Sequence, residues 1–208
     1  MSVVLRSSPL RIHLNRNTCL DFPALEVHAG EMLLIQGASG AGKSTWMHAL
    51  AGMIPLSSGE VEIPGHGILR AGQSVPKAWR RHAVSVLPQR AFFWNSLSLE
   101  ENLSLAAWAK GVDEAKVDLD RLGLAKQAGQ SAHSLSMGEQ QRVSALRSFI
   151  SESPLLLADE PTASLDDANA QVMLELLRDQ QLKHPCAIVL ASHDQRVLPF
   201  VDRMVQLS

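Results

Sequence analysis

Gly37-Ala38-Ser39-Gly40-Ala41-Gly42-Lys43-Ser44-Thr45 follows the apolar run Met32-Leu33-Leu34-Ile35 and precedes Trp46-Met47-His48-Ala49-Leu50-Ala51. It fills every fixed position of G-x-x-x-x-G-K-[ST] between a strand and a helix, the context the motif demands. The residue types have a chemical reason. Glycines let backbone N–H groups curl around phosphate oxygens, and the helix N-terminus adds its partial positive charge. Lys43 can then reach β- and γ-phosphates as a point charge, while the Ser44 hydroxyl ligates Mg²⁺. A glycine-rich turn with no ligand would leave the lysine without a purpose. Residues 37–45 are therefore the candidate nucleotide-binding set.

Outward from this loop, short apolar runs recur between longer mixed segments: Met32 to Ile35, Val84 to Leu87, Leu155 to Ala158 and Ala187 to Leu190. Runs of this length read as parallel strands buried on both faces, so the fold class is α/β. From Gln89 to about Gln140 the pattern changes. Leu97, Leu99, Leu103, Leu105, Trp108, Val112, Val117, Leu119, Leu122 and Leu124 sit at near-helical spacings, which predicts a helical insertion over about 90–140. Val143, Leu146 and Ile150 share a helix face over 139–150. Ser136 with Glu139 three residues on is a capping box that starts this helix.

The whole sequence of 208 residues, 46% of them apolar, has no internal repeat and no linker-like segment, so one domain over 1–208 is expected. Nineteen Lys and Arg against 21 Asp and Glu give a net charge of −2. Such a balance offers no basic field for nonspecific nucleic-acid binding, and no nucleic-acid partner is expected. No apolar run approaches the roughly 20 residues that span a bilayer. The first residues lack the pattern of a secretory signal, so a reducing cytosol is expected, with Cys19 and Cys186 as free thiols. The chain has no tyrosine.

Leu155-Leu156-Leu157-Ala158-Asp159-Glu160 is a buried strand ending in two carboxylates. A P-loop site needs one acid to hold Mg²⁺ and uses another as base for the attacking water. Asp159 suits the first role and Glu160 the second.

With these residues in place, the chain from about Leu25 to Val205 resembles the ATP-binding cassette (ABC) family, whose motifs occur in order. After the P-loop, Gln89 in Val86-Leu87-Pro88-Gln89 is similar to the Q-loop glutamine, and Leu135-Ser136-Met137-Gly138-Glu139-Gln140-Gln141-Arg142 to the signature segment. Leu155 to Pro161 resembles the Walker B strand, Ala163-Ser164-Leu165-Asp166 the D-loop, and Ser192-His193-Asp194 the switch histidine. The resemblance implies a P-loop core with a mainly parallel sheet, an N-terminal antiparallel β portion and a helical subdomain. It implies Gln89, Glu160 and His193 as catalytic residues and Ser44, Gln89 and Asp159 around Mg²⁺, with ATP as nucleotide. It further implies a head-to-tail homodimer in which Ser136, Gly138 and Glu139 meet the nucleotide held by the partner's Lys43.

Two positions depart from the family pattern. Met137 stands where glycine is usual, and the aromatic residue that stacks on adenine, commonly tyrosine, is missing. The nearby residues are Ile12, His13, Leu14 and Arg16, of which His13 or Arg16 could stack instead. Ala158-Asp159-Glu160-Pro161-Thr162 and Ser192-His193-Asp194-Gln195-Arg196-Val197 are similar to the lipoprotein-release and macrolide-efflux branch. That likeness implies a motor subunit on the cytoplasmic face of the inner membrane, working on a separate integral membrane permease. An importer ATPase is the nearest alternative, although many importer subunits carry a C-terminal regulatory domain and this chain stops at Ser208. The others are a soluble ABC ATPase and a clamp that binds ATP but hydrolyses it weakly.

Overall fold

A computed structural model describes residues 2–15, 17–112 and 119–207. Its centre is a five-stranded parallel sheet in the order β11-β5-β10-β9-β8. The strands are β5 (Met32–Gly37), β8 (Val84–Leu87), β9 (Leu155–Asp159), β10 (Ala187–Ala191) and β11 (Arg203–Leu207). All four predicted apolar runs are strands of this sheet. Their residues alternate between two cores because successive side chains point to opposite faces. Leu33, Ile35, Leu155, Leu157 and Val189 face one side, with Trp46, Met47 and Leu50 of α1 (Lys43–Leu50). Met32, Leu34, Leu156, Ile188 and Leu190 face the other, with Met173, Leu174 and Leu177 of α4 (Asp167–Lys183). Each fully buried Leu or Ile contributes about 1.5–3 kcal/mol relative to exposure.

The N-terminal part is antiparallel. β1 (Val3–Ser7), β4 (Leu25–His28), β6 (Glu60–Ile63) and β7 (Gly67–Arg70) form a sheet in the order β4-β1-β6-β7, and β2 (Leu10–His13) pairs with β3 (Cys19–Phe22) as a hairpin. Phe22 stacks on Trp46 with ring centroids 5.3 Å apart, joining the hairpin to the helix that follows the P-loop.

Over 90–140 the insertion has one regular α-helix before the signature, α2 (Leu99–Lys110), whose Ser98–Glu101 capping box is complete. Short 3-10 turns at Asp120–Leu122, Ala125–Gln127 and Ala132–Ser134 follow. Val117 lies outside the described residues. α3 (Met137–Ser148) begins at Ser136, as its capping box predicts, but stops before Ile150. Its predicted face is divided: Val143 packs with Phe93, Leu99 and Leu103 of the insertion, whereas Leu146 packs in the core under α4. The signature helix therefore bridges insertion and core. Cys19 is exposed, Cys186 is buried, and both are free thiols.

Candidate functional site

Parallel strands that all end on one edge collect their following loops there, which is where open α/β sheets hold ligands. Here β5 leads into residues 37–45, β8 into Gln89, β9 into Glu160 and β10 into His193. Neighbouring β10 and β9 place Ala191 level with Asp159, so elements far apart in sequence meet at the P-loop.

Gly40 and Gly42 carry φ of 83° and 89°, values that L side chains rarely adopt. A Cβ on Gly42 would also stand 2.9 Å from Leu20 Cδ1. The curled backbone needs glycine there on both counts. Lys43 Nζ donates to Gly37 O at 2.8 Å and Ala38 O at 3.1 Å, so the ammonium sits within the loop. Gly37, Ala38, Ser39, Gly40, Gly42, Lys43, Ser44 and Thr45 line a 700 Å³ cleft with Gln89, Glu160 and His193. Ala41 instead packs against the core.

Leu14, Thr18 and Leu20 of the hairpin form the far wall of this cleft. Ile12 is buried, His13 is absent from the wall, and Arg16 lies outside the described residues. Where an aromatic platform is usual, the described wall offers aliphatic surface from Leu14 and Leu20.

A second cavity, of 410 Å³, brings together Ser44, Gln89 and Asp159. Asp159 is buried, and its Oδ1 has no hydrogen-bond partner. An unmatched buried carboxylate oxygen is costly, and a hard cation with oxygen ligands would satisfy it. The three residues therefore fit Mg²⁺. Among the described residues, no group of three or more His, Cys, Asp or Glu is placed to hold a metal ion.

Glu160 has φ of 45°, the left-handed region, which costs a non-glycine residue free energy. Its backbone N–H donates to Ala191 O at 2.8 Å, holding this turn against the end of β10. Ser192 Oγ donates to Glu160 Oε2 at 3.0 Å, and His193 Nδ1 lies 2.8 Å from Glu160 Oε1. An ionised carboxylate only accepts, so this contact places the proton on Nδ1. The His193 side chain is 72% exposed and borders the cleft.

Ser136, Gly138 and Glu139 do not border that cleft. Ser136 Oγ donates to Glu139 Oε2 at 2.7 Å, and Glu139 Oε2 also accepts from Ser136 N, so the Glu139 carboxylate caps its own helix. Those bonds hold it below the usual carboxylate range. Gly138 allows close packing, since a Cβ would come within 3.1 Å of Asn169 Oδ1. Met137 is 65% exposed at the first position of α3.

Several residues that surround the site were assigned no role from the sequence, although Gln141 and Arg142 stand inside the signature segment. Gln141 of α3 donates to Pro88 O at 3.2 Å, just before Gln89. Arg147 donates to Phe92 O at 2.6 Å and covers the Phe93 ring. Arg142 bonds Asn169, whose amide group also bonds Asp166. Phe92 and Trp94 form an exposed edge-to-face pair with centroids 6.0 Å apart. Adjacent aromatics one residue apart were the only hint available in the sequence.

The fold and the P-loop site define a P-loop ATPase cassette. Residues 20–163 match the ABC transporter family, and the chain belongs to it. It is 36% identical over 91% of its length to the macrolide export ATP-binding/permease protein MacB of Vibrio parahaemolyticus. To the pyoverdine export ATP-binding/permease protein PvdT of Pseudomonas syringae pv. tomato it is 35% identical over 88% of its length. The chain spans 29–30% of those two relatives. Against the putative hemin import ATP-binding protein HrtA of Staphylococcus haemolyticus, identity is 33% over 87% of this chain and 84% of that one. Among solved structures, an ATP-binding subunit of an ABC transporter superposes with a TM-score of 0.83 at 27% identity, covering 98% of this chain and 85% of that chain. A dimeric ATP-binding cassette, MJ0796, in a post-hydrolysis state with ADP and Pi gives 0.81 at 25% identity, covering 100% and 94%.

Proposed function

We propose that the chain is the ATP-hydrolysing motor of an export or mechanotransmission ABC transporter, one cassette domain over 1–208 with a helical insertion at about 90–140. One observation carries this reading: the Lys43 cradle, the unmatched Asp159 oxygen beside Ser44 and Gln89, and the Glu160–His193 pair lie on a single sheet edge. Backbone N–H groups of 37–45 and Lys43 bind the phosphates of ATP. Ser44, Gln89 and Asp159 would hold Mg²⁺, which neutralises charge on β- and γ-phosphate oxygens.

Glu160 accepts a proton from the attacking water. Ser192 and His193 fix its two oxygens, so the base is aimed before substrate arrives. His193, held at Nδ1 by Glu160, borders the cleft and serves as a catalytic residue beside the γ-phosphate. Gln89 borders both cavities and serves as a catalytic residue between the ion and the water.

Ser136, Gly138 and Glu139 complete the site of a second copy, a reading supported by their absence from the lining of their own cleft and by the dimeric MJ0796 cassette. In that role Ser136 Oγ and Gly138 N–H touch phosphate, while Glu139 holds Ser136. The likeness to MacB and PvdT supports export, with a membrane permease as partner. No helix among the described residues is long and apolar enough to cross a membrane, so the cassette would associate peripherally at the cytoplasmic face. Phe92 and Trp94, exposed just beyond Gln89, give such a partner an aromatic surface. The name of HrtA, a putative import protein, keeps import as a second reading.

ATP turnover of the chain tests this, alone and with co-purified membrane protein, against Glu160→Gln. The substitution is expected to lower hydrolysis by about a hundredfold or more while ATP binding persists. Unchanged turnover would remove Glu160 as the base.

A further inference from the structure

Arg196, beyond the switch histidine, appears above only within the string Ser192 to Val197 and carries no role there, yet all five guanidinium N–H groups are used. Nε donates to both Asp194 oxygens at 3.0 and 2.9 Å, and Nη2 to Asp194 Oδ2 at 2.7 Å. Nη2 also reaches Thr162 O at 3.3 Å, while Nη1 reaches Leu165 O at 3.2 Å and Asp167 Oδ1 at 2.7 Å. The fully buried Thr162 adds its own hydroxyl to Asp194 Oδ2 at 2.6 Å. A rigid planar fork suits this set, and an ammonium could not satisfy it.

The legs differ in weight. Asp167 is almost fully exposed, so its ion pair contributes little. Asp194 and the two carbonyls decide the geometry, and the carbonyls belong to the turn that leads from Glu160 into α4. Leu165 N donates back to Thr162 O at 3.1 Å, closing that turn. Its Ser164 and Leu165 line a 320 Å³ cavity with Met137, Gln140 and Gln89. The turn therefore stands beside the signature helix, on the face a second copy would meet.

We propose that Arg196 is a positioning residue that locks the switch segment to the turn after Glu160, so that His193 and residues 163–165, which a partner would meet, change pose together. This rests on the motor reading above. It adds a mechanical path between the nucleotide held by one chain and the surface shown to the next. The path needs the guanidinium shape and not only its charge.

Arg196→Ala and Arg196→Lys in the full chain test this with two readouts. Without nucleotide, the Leu165 amide should exchange hydrogen about tenfold faster in Arg196→Ala, as local opening frees the turn, with the Trp46 amide unchanged. In steady state, kcat should fall about tenfold to a hundredfold with KM for ATP within about twofold, as expected when an aligned group is displaced. Arg196→Lys should recover neither readout. Unchanged exchange in Arg196→Ala, unchanged kcat, or a rise in KM matching the loss of kcat would each overturn the lock. So would full rescue by lysine, which would reduce the residue to a counter-charge for Asp194. Absence of hydrolysis by the unsubstituted chain would count against the motor reading alone, and the exchange comparison would still judge the lock.

Discussion

Glu160 shows how much the site asks of one residue. It holds a backbone angle that disfavours any side chain, and both its oxygens are engaged by Ser192 and His193. Asp194 is the opposite case, a carboxylate placed for stability. The Arg196 guanidinium, helped by Thr162, holds it down to about 2. A carboxyl whose pKa is lower in the folded chain contributes stability above its unfolded value near 3.8, and loses it as pH falls through the folded value. Urea denaturation at pH 5 and pH 2 should therefore show a stability loss between about pH 4 and 2 that is smaller in Asp194→Asn. An equal loss in both proteins would mean that other groups account for it. At this scale Lys43, Ser44, Asp159, Glu160 and His193 were legible because each stands inside a contiguous motif. Ser192 was legible only as part of a string, and Arg196, Asn169 and Gln141 not as site residues, since their partners lie on other elements.

The elements were legible where burial fixes the pattern. Strands covered on both faces leave mostly apolar runs, and all four such runs, of which only Val84–Leu87 holds a polar residue, Ser85, are strands of the parallel sheet. The antiparallel part left no comparable run, because its strands have one polar face, as in the buried-exposed alternation of Leu10–His13. The 3-10 turns at 120–134 share the leucine spacing of a helix without the length of one. Caps were better signals. α2 and α3 carry the same Ser-x-x-Glu box, so Ser98→Ala and Ser136→Ala should each lose about 1 kcal/mol in urea denaturation. On the proposed reading only Ser136→Ala should also weaken ATP-dependent association, because α3 would offer its N-terminus to a second copy. Equal association by the two variants would remove Ser136 from the interface.

For the whole molecule, the central fact is a division. The P-loop, Ser44, Gln89, Asp159 and Glu160 gather on one sheet edge, and Ser136, Gly138 and Glu139 do not line the cleft of their own chain. On the proposed reading, a second copy completes the site. On that reading ATP is part of the interface, and closure would follow from the difference in dimer affinity for ATP and ADP. The measurement that tests this most directly is light scattering of Glu160→Gln with ATP, with ADP and without nucleotide. The account predicts that the mass doubles from 22.6 kDa with ATP alone. A chain that binds ATP and stays at the monomer mass would contradict it.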